Sequence, residues 1–183
     1  MNITVFAGSA PGSRPEYIEA AKTLGKWIGE NGHTLIYGDG KVGMMGAVAN
    51  AALQAGGKVI GIIPEFMIER GWENRNVSEM IVTKDMSERK LKMAEMSDAF
   101  IALPGGYGTL EEIADVISWV RIGLYDAPCI LYNTLGIYDK LRELYAEMDE
   151  AEFLGEEKAD FILYSDDMKE IEEFIKKKVT DKQ

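Results

Sequence analysis

The strongest constraint on how this chain can fold is a series of short apolar runs without polar alternation. Ile3–Ala7, Thr34–Tyr37, Lys58–Ile63, Glu79–Thr83, Ala99–Leu103 and Pro128–Tyr132 each have strand length, and Ile162–Tyr164 adds a seventh candidate. A half-exposed strand alternates apolar and polar residues. A continuous apolar run needs cover on both faces, which is the situation in a parallel sheet. Amphipathic segments separate the runs: Ile18, Ala21, Leu24 and Ile28 line one helical face, and Leu110, Ile113, Ala114, Ile117 and Val120 line another. Repeated β-α units predict an α/β fold, a Rossmann-like doubly wound and mostly parallel sheet with helices on both faces. No linker or repeat interrupts the 183 residues, which read as one domain over 1–183. The tail from Asp166 reads as a charged helix ending in Lys176, Lys177 and Lys178. Ligands bind such sheets at the carboxyl ends of the strands.

Three glycine-rich turns fall on that edge. Gly8 and Ser9 follow the first strand, Gly38-Asp39-Gly40 through Gly46 follow the second, and Pro104-Gly105-Gly106-Tyr107-Gly108-Thr109 follow the fifth. In the last of these, three glycines in four positions let backbone amides converge without Cβ atoms in the way. The helix that follows adds unpaired amides and the positive end of its dipole, a combination that binds phosphate or a similar anion. The second turn contains GxGxxG at Gly38, Gly40 and Gly43. A dinucleotide fingerprint normally follows the first strand, so this match is weak, with Glu65 as its only candidate ribose acid. Close helix–sheet packing is the simpler role for these glycines. The polar stretch Glu69–Asn76 reads as an irregular, mobile loop near the site.

Two charged positions stand out. Asp85 and Glu88 resemble a helix N-terminal cap, which puts Arg89 and Lys90 in the second turn. Cations there oppose the helix dipole, so they serve either an anionic ligand or solvent. Thr109-Leu110-Glu111-Glu112 fits the capping box, in which Glu112 would reach back to the cap amide. Glu111 faces another direction and suits a ribose hydroxyl or solvent. Ser118 and Trp119, two turns on, are candidates to border the pocket. Met86, Met93 and Met96 read as core.

The 20 basic and 31 acidic residues give a net charge of −11, which disfavours nucleic-acid polymers and anionic membranes. Local amides and cations must then overcome the overall field to hold an anion. Cys129 sits in an apolar run and reads as a buried structural thiol; His33 reads as a turn residue. One of each makes no zinc site, and no metal is expected. No stretch is long enough to span a membrane, and the sequence opens on a strand rather than a signal peptide, so the cytoplasm is the expected compartment.

These segments resemble the Lonely Guy family of phosphoribohydrolases that activate cytokinins. Pro104 through Glu112 matches the family's PGGxGTxxE at every fixed position, and Arg89-Lys90 matches its second motif. The Gly8-Ser9 turn, Val42-Gly43-Met44-Met45-Gly46, Val59 to Pro64 and Ser97-Asp98-Ala99-Phe100 also fit, so the likeness covers about residues 1–150. Members were often labelled lysine decarboxylases, but no pyridoxal-site signature is visible in this sequence and no cofactor is expected.

The resemblance implies hydrolysis of the N-glycosidic bond of a nucleoside 5′-monophosphate, AMP or an N6-prenylated AMP. Arg89 and Glu112 take the catalytic positions. Gly8, Ser9, Lys90, Gly105, Gly106, Tyr107, Gly108, Thr109, Leu110, Glu111 and Ser118 fall in the substrate-binding set, and a homodimer is implied. Two departures bear on substrate preference. Asp39 stands where many members have glycine, adding negative charge to a loop near an anionic ligand. Trp119-Val120-Arg121-Ile122-Gly123 replaces the usual Trp-x-Gln-Leu-Gly. A non-catalytic nucleotide or cofactor binder, like the molybdenum-cofactor carriers, is the alternative.

Overall fold

The computed structural model describes residues 1–155 and 159–180. Seven strands form one sheet: β1 (Asn2–Phe6), β2 (Thr34–Tyr37), β3 (Lys58–Pro64), β4 (Glu79–Thr83), β5 (Ala99–Ala102), β6 (Cys129–Tyr132) and β7 (Ile162–Ser165). Their spatial order is β4-β3-β2-β1-β5-β6-β7, and every pairing is parallel. Chain order therefore reverses direction between β1 and β5. Side by side, these strands pair Ile3 with Ala99 and Phe6 with Ala102. The chain leaves them for helices on opposite faces, the arrangement in which sheets of this kind form their ligand crevice.

Helices α1 (Pro15–Glu30), α2 (Gly43–Gln54), α3 (Glu65–Glu69), α4 (Met86–Glu95), α5 (Tyr107–Arg121), α6 (Asp139–Glu150) and α7 (Met168–Thr180) complete the fold. Successive strand residues point to opposite faces. Ile3 and Val5 accordingly join a core with Leu24, Ile28, Val48 and Ile171 from α1, α2 and α7. Phe6, Ile36, Ile60 and Phe100 join a second core with Met93, Ile113 and Val116 from α4 and α5. Cys129 is buried in β6, where desolvation pushes its thiol up to about 12. His33 precedes β2 and meets the Trp27 ring edge-on at 5.2 Å. The basic tail lies in α7, whose last turn carries Lys177 and Lys178.

One helix start differs from expectation, with consequences for the site. α5 begins at Tyr107, with Gly106 as N-cap and no side-chain cap. Thr109 therefore lies inside the first turn rather than at the cap, and no capping box forms. The inward stripe of α5 runs through Thr109, Glu112, Ile113 and Val116. Leu110, expected on the apolar face, lies about 100° around the helix from Thr109 and is 41% exposed.

Candidate active site

The crevice is built from backbone first. The loops after β1 and β5 cross so closely that a Cβ on Gly8 would lie 3.1 Å from the Gly105 Cα, and one on Gly105 would lie 2.1 Å from the Thr109 hydroxyl. The Gly8 amide donates to the Pro104 carbonyl at 3.2 Å, locking the crossing. Gly106 and Gly108 differ: a Cβ on either would meet nothing within 4 Å, and neither has positive φ. The fold does not demand glycine at these two positions; open space in front of the helix start does. The amides of Tyr107, Gly108 and Thr109 have no intrahelical acceptor, because they precede the first i→i−4 bond, from Leu110 to Gly106. Amides and dipole together give this end of the crevice a positive potential.

A cavity of about 690 Å³ lies against this helix start, within the usual range for small-molecule sites. Gly8, Ser9, Gly106, Tyr107, Gly108 and Thr109 form one wall. Val42, Met45, Ile63, Met67, Trp72 and Met86 form an apolar wall. Arg89, Glu111 and Glu112 also line it.

Arg89 and Glu112 are brought together from two helices. Asp85 caps α4 by accepting the Glu88 amide at 2.8 Å, as the sequence indicated. The Arg89 side chain is then carried under the sheet edge, where it is only 5% exposed. Its Nε donates to the Ile62 carbonyl at 3.1 Å, and its Nη2 lies 3.2 Å from Glu112 Oε1. Gly38 makes room for it, since a Cβ there would sit 1.7 Å from that Nη2. Glu112, 7% exposed, has its carboxyl pushed up by burial, against the opposing pull of Arg89. The solvated-pair reading of Arg89 fails, because the guanidinium is enclosed by β3, Gly38 and α5. The capping reading of Glu112 fails, because the helix starts too early for it.

Other expected site residues are distributed unevenly. Lys90 does not line the cavity; its Nζ bonds Asp115 Oδ2 at 2.7 Å and Glu111 Oε1 at 2.8 Å, and these bonds raise its pKa. Gly105 lines a smaller neighbouring cavity with Gly8, Ser9 and Gly106. Leu110 and Ser118 line neither. Ser118 is exposed and begins about 9 Å beyond Glu112 along the helix axis, at 1.5 Å per residue. Trp119 packs on the second core. Met86, read as core, instead lines the cavity and touches Arg89 Nη1 through its sulfur at 3.5 Å. Glu65 opens α3, is exposed and stays outside the cavity. Lys41, Val42, Met45, Ile63, Met67 and Trp72 were not anticipated. For Lys41, Val42 and Met45 a signal was available in the turn from Gly38 to Gly46, already placed on the ligand edge; Met67 and Trp72 lie in segments too short or irregular to show a period.

Asp39 does not face the cavity. It is 0% exposed, at φ 58°, and its carboxylate accepts from the Tyr37 hydroxyl and the Asn74 amide. The stretch 69–76, expected to be mobile, is tied to it. Among the described residues, no group of three or more His, Cys, Asp or Glu side chains could hold a metal ion. No described helix is long and apolar enough to cross a membrane.

Comparison with known proteins shows the family. A family model described as "Possible lysine decarboxylase" matches residues 45–175. The site does not fit pyridoxal chemistry: Lys41 donates to the Gly71 carbonyl and Lys90 is held by two carboxylates. The chain is 42% identical over 169 residues to a probable cytokinin riboside 5′-monophosphate phosphoribohydrolase of Oryza sativa subsp. japonica, covering 92% of this chain and 68% of that protein. It is 40% identical to a cytokinin riboside 5′-monophosphate phosphoribohydrolase of Arabidopsis thaliana, covering 92% and 79%. A relative of the same name from Rhodococcoides fascians is 44% identical over 141 residues, covering 76% and 71%. Among solved structures, the molybdenum cofactor carrier protein of Chlamydomonas reinhardtii superposes with a TM-score of 0.74 at 23% identity, covering 98% of each chain, a likeness of fold alone. By motif, matched length and identity to these relatives, the chain belongs to the Lonely Guy family.

Proposed function

We propose that this protein hydrolyses the N-glycosidic bond of a purine nucleoside 5′-monophosphate, releasing the free base and ribose 5-phosphate. The carrying observation is the buried Arg89–Glu112 pair, 3.2 Å apart, on the same cavity as the uncapped start of α5. In this reading the phosphate sits on the amides of Gly106 to Thr109. The base extends toward the apolar wall, and C1′ lies beside Glu112. As the C1′–N bond lengthens, positive charge develops on the sugar, and a buried carboxylate stabilises it. Water adds its oxygen to C1′ and passes a proton to Glu112, while the base departs with the bonding pair and takes up a proton from solvent; Glu112 returns its proton to solvent, so that one water is consumed. A carboxyl pushed up by burial is better matched to accepting that proton near neutrality. Arg89 orients Glu112 and offsets charge on the departing base.

The names of the relatives support a cytokinin-type nucleotide, and the apolar wall suits an N6-prenylated AMP as well as AMP. Incubation with AMP and isopentenyl-AMP, followed by chromatography of the free base, tests the proposal. Release no faster than the enzyme-free control would end it. A purely binding role has no use for a desolvated carboxylate, whose burial costs stability. We further propose that 1–183 acts as one nucleotide-binding domain and that the protein is a cytoplasmic homodimer. A lone buried thiol suits a reducing compartment. Exposed Leu91, Ile122 and Leu124 supply apolar surface for self-association. Sedimentation equilibrium at the monomer mass would refute the dimer.

A further inference from the structure

The segment between α3 and β4 is irregular, yet Glu73 and Asn74 within it are buried. The Trp72 amide donates to the Met67 carbonyl and Ser78 bonds Val59 in β3, while the contacts around Asn74 lead to β2 and the turn after it. The Asn74 amide donates to the Asp39 carbonyl at 3.0 Å and to its carboxylate at 3.3 Å. Asn74 Nδ2 donates to the Tyr37 hydroxyl at 3.0 Å, and that hydroxyl donates to Asp39 Oδ1 at 3.4 Å. Gly40 pairs with Glu73 in an antiparallel bridge, and Lys41 Nζ donates to the Gly71 carbonyl. Within the clasped stretch stands Trp72. Its ring lies against the Arg70 guanidinium at 5.1 Å, and Phe66 meets the same guanidinium at 5.4 Å. Trp72 is 48% exposed and is part of the apolar cavity wall with Met67.

Asp39 occupies a left-handed backbone position that glycine adopts without strain and that aspartate tolerates better than most residues. Its side chain packs on Gly61, where a Cβ would approach Oδ1 to 1.9 Å. A glycine at position 39 would satisfy the turn but could not supply the carboxylate that holds Asn74 and Tyr37. The charge that sequence reasoning placed near the ligand is instead spent on shaping the far wall.

We infer that Asp39 is a positioning residue whose clasp on Asn74 fixes Trp72 as a wall of the base end of the cavity, selecting nucleotides with an apolar substituent on the base over unsubstituted ones. This rests on the phosphoribohydrolase reading above. An apolar pocket contact discriminates between substrates by about 10- to 200-fold, so a loosened wall loses a factor of that order. The test compares wild type, Asp39→Gly and Asp39→Asn for kcat and KM on isopentenyl-AMP and AMP. The affinities of both nucleotides are measured by calorimetry, and the exchange rate of the Asn74 amide by NMR. Asp39→Gly is expected to lower the isopentenyl-AMP/AMP ratio of kcat/KM about tenfold, through KM, with kcat within about threefold. Its Asn74 amide should exchange at least about tenfold faster. Asp39→Asn keeps an acceptor and should restore both readouts. An unchanged ratio or unchanged exchange in Asp39→Gly, or an equal loss of kcat on both substrates, overturns the inference. If wild type releases no base, the function proposal fails. The clasp is then still judged by the calorimetric affinity ratio and the exchange rate.

Discussion

Gly38→Ala perturbs the geometry of the buried pair without substituting either member of it. The backbone there does not require glycine; the obstacle is the new methyl group, which would lie 1.7 Å from Arg89 Nη2 and 2.8 Å from its Cζ. To reach ordinary contact at 3.4 Å, the guanidinium must retreat by about 1.7 Å. With β3 and Glu112 on its other sides, its free direction is toward the cavity. That retreat breaks the Nε bond to the Ile62 carbonyl. A hydrogen bond involving a charged group contributes about 1.5–3 kcal/mol; the pair with Glu112 survives in altered geometry, so the net loss is expected near 2 kcal/mol. For a chain of this length, that lowers Tm by about 4–8 °C. Turnover suffers more, because misplacement of about 1 Å in a catalytic constellation can cost roughly 100-fold. Differential scanning calorimetry and the base-release assay on the same preparation read both effects. A variant with wild-type turnover would show that the position of Arg89 does not matter to the chemistry, and the reasoning would fall.

Gly106→Ala is the converse case: its Cβ meets no protein atom, so Tm should stay within about 2 °C while KM for the nucleotide rises at least about tenfold; an unchanged KM would mean that the phosphate lies elsewhere. Glu112→Gln removes charge without removing volume, and turnover should drop at least about 100-fold with folding retained, as circular dichroism would show. Near-normal turnover would assign Glu112 a structural role only. Asp39, facing Tyr37, Glu73 and Arg89, has its carboxyl raised from the ordinary 3.8 to about 6, mainly by burial. Its neutral form is therefore favoured on folding, and stability falls as pH rises from about 4 through 6. The gap is worth at most about 3 kcal/mol. Urea denaturation should show Asp39→Asn gaining on wild type across that window, and parallel curves would contradict the assignment. Lys90→Met should lower Tm by about 2–4 °C and leave KM within twofold, whereas a tenfold KM increase at constant Tm would place Lys90 on the ligand.

The central sheet was legible because each buried strand must be apolar on both faces, and such runs announce themselves; Thr34–Tyr37 matches to the residue, as does Glu79–Thr83, although that edge strand is mostly exposed. The glycine-rich turn before α5 was legible because its glycines are contiguous with a helix start. Glu112 could be nominated but not assigned by local sequence. Capping box and buried partner share the pattern Thr-x-x-Glu, and they part only over whether the helix begins at Tyr107 or after Thr109. The chain's exit from β5 decides that. Asp39 was misplaced toward the ligand because its partner Asn74 lies 35 residues on, in a stretch without periodicity. The apolar wall was hidden for a related reason: the five-residue α3 that carries Met67 is too short to show a period, and Trp72 lies in the irregular stretch that the clasp holds.

The adjacent pair Arg89 and Lys90 acquires a common logic from these contacts. Both reach from α4 to α5, Arg89 to Glu112 and Lys90 to Glu111 and Asp115, so the two helices are joined by an inner and an outer set of charges. The inner set is desolvated and borders the cavity, where an electrostatic interaction acts at low dielectric. In the outer set Glu111 is largely exposed, and pairs of that kind contribute at most about 1 kcal/mol. The outer set is suited to fixing the register of α4 against α5, and the inner set depends on that register for its 3.2 Å separation. Lys90, whose ammonium group is held by two carboxylates, is in this reading a residue that positions the site; its KM test distinguishes this from direct contact with the ligand. Under the proposed function the anion is left to backbone amides, which, unlike a lysine side chain, cannot swing away to the acidic groups behind the protein's net charge of −11.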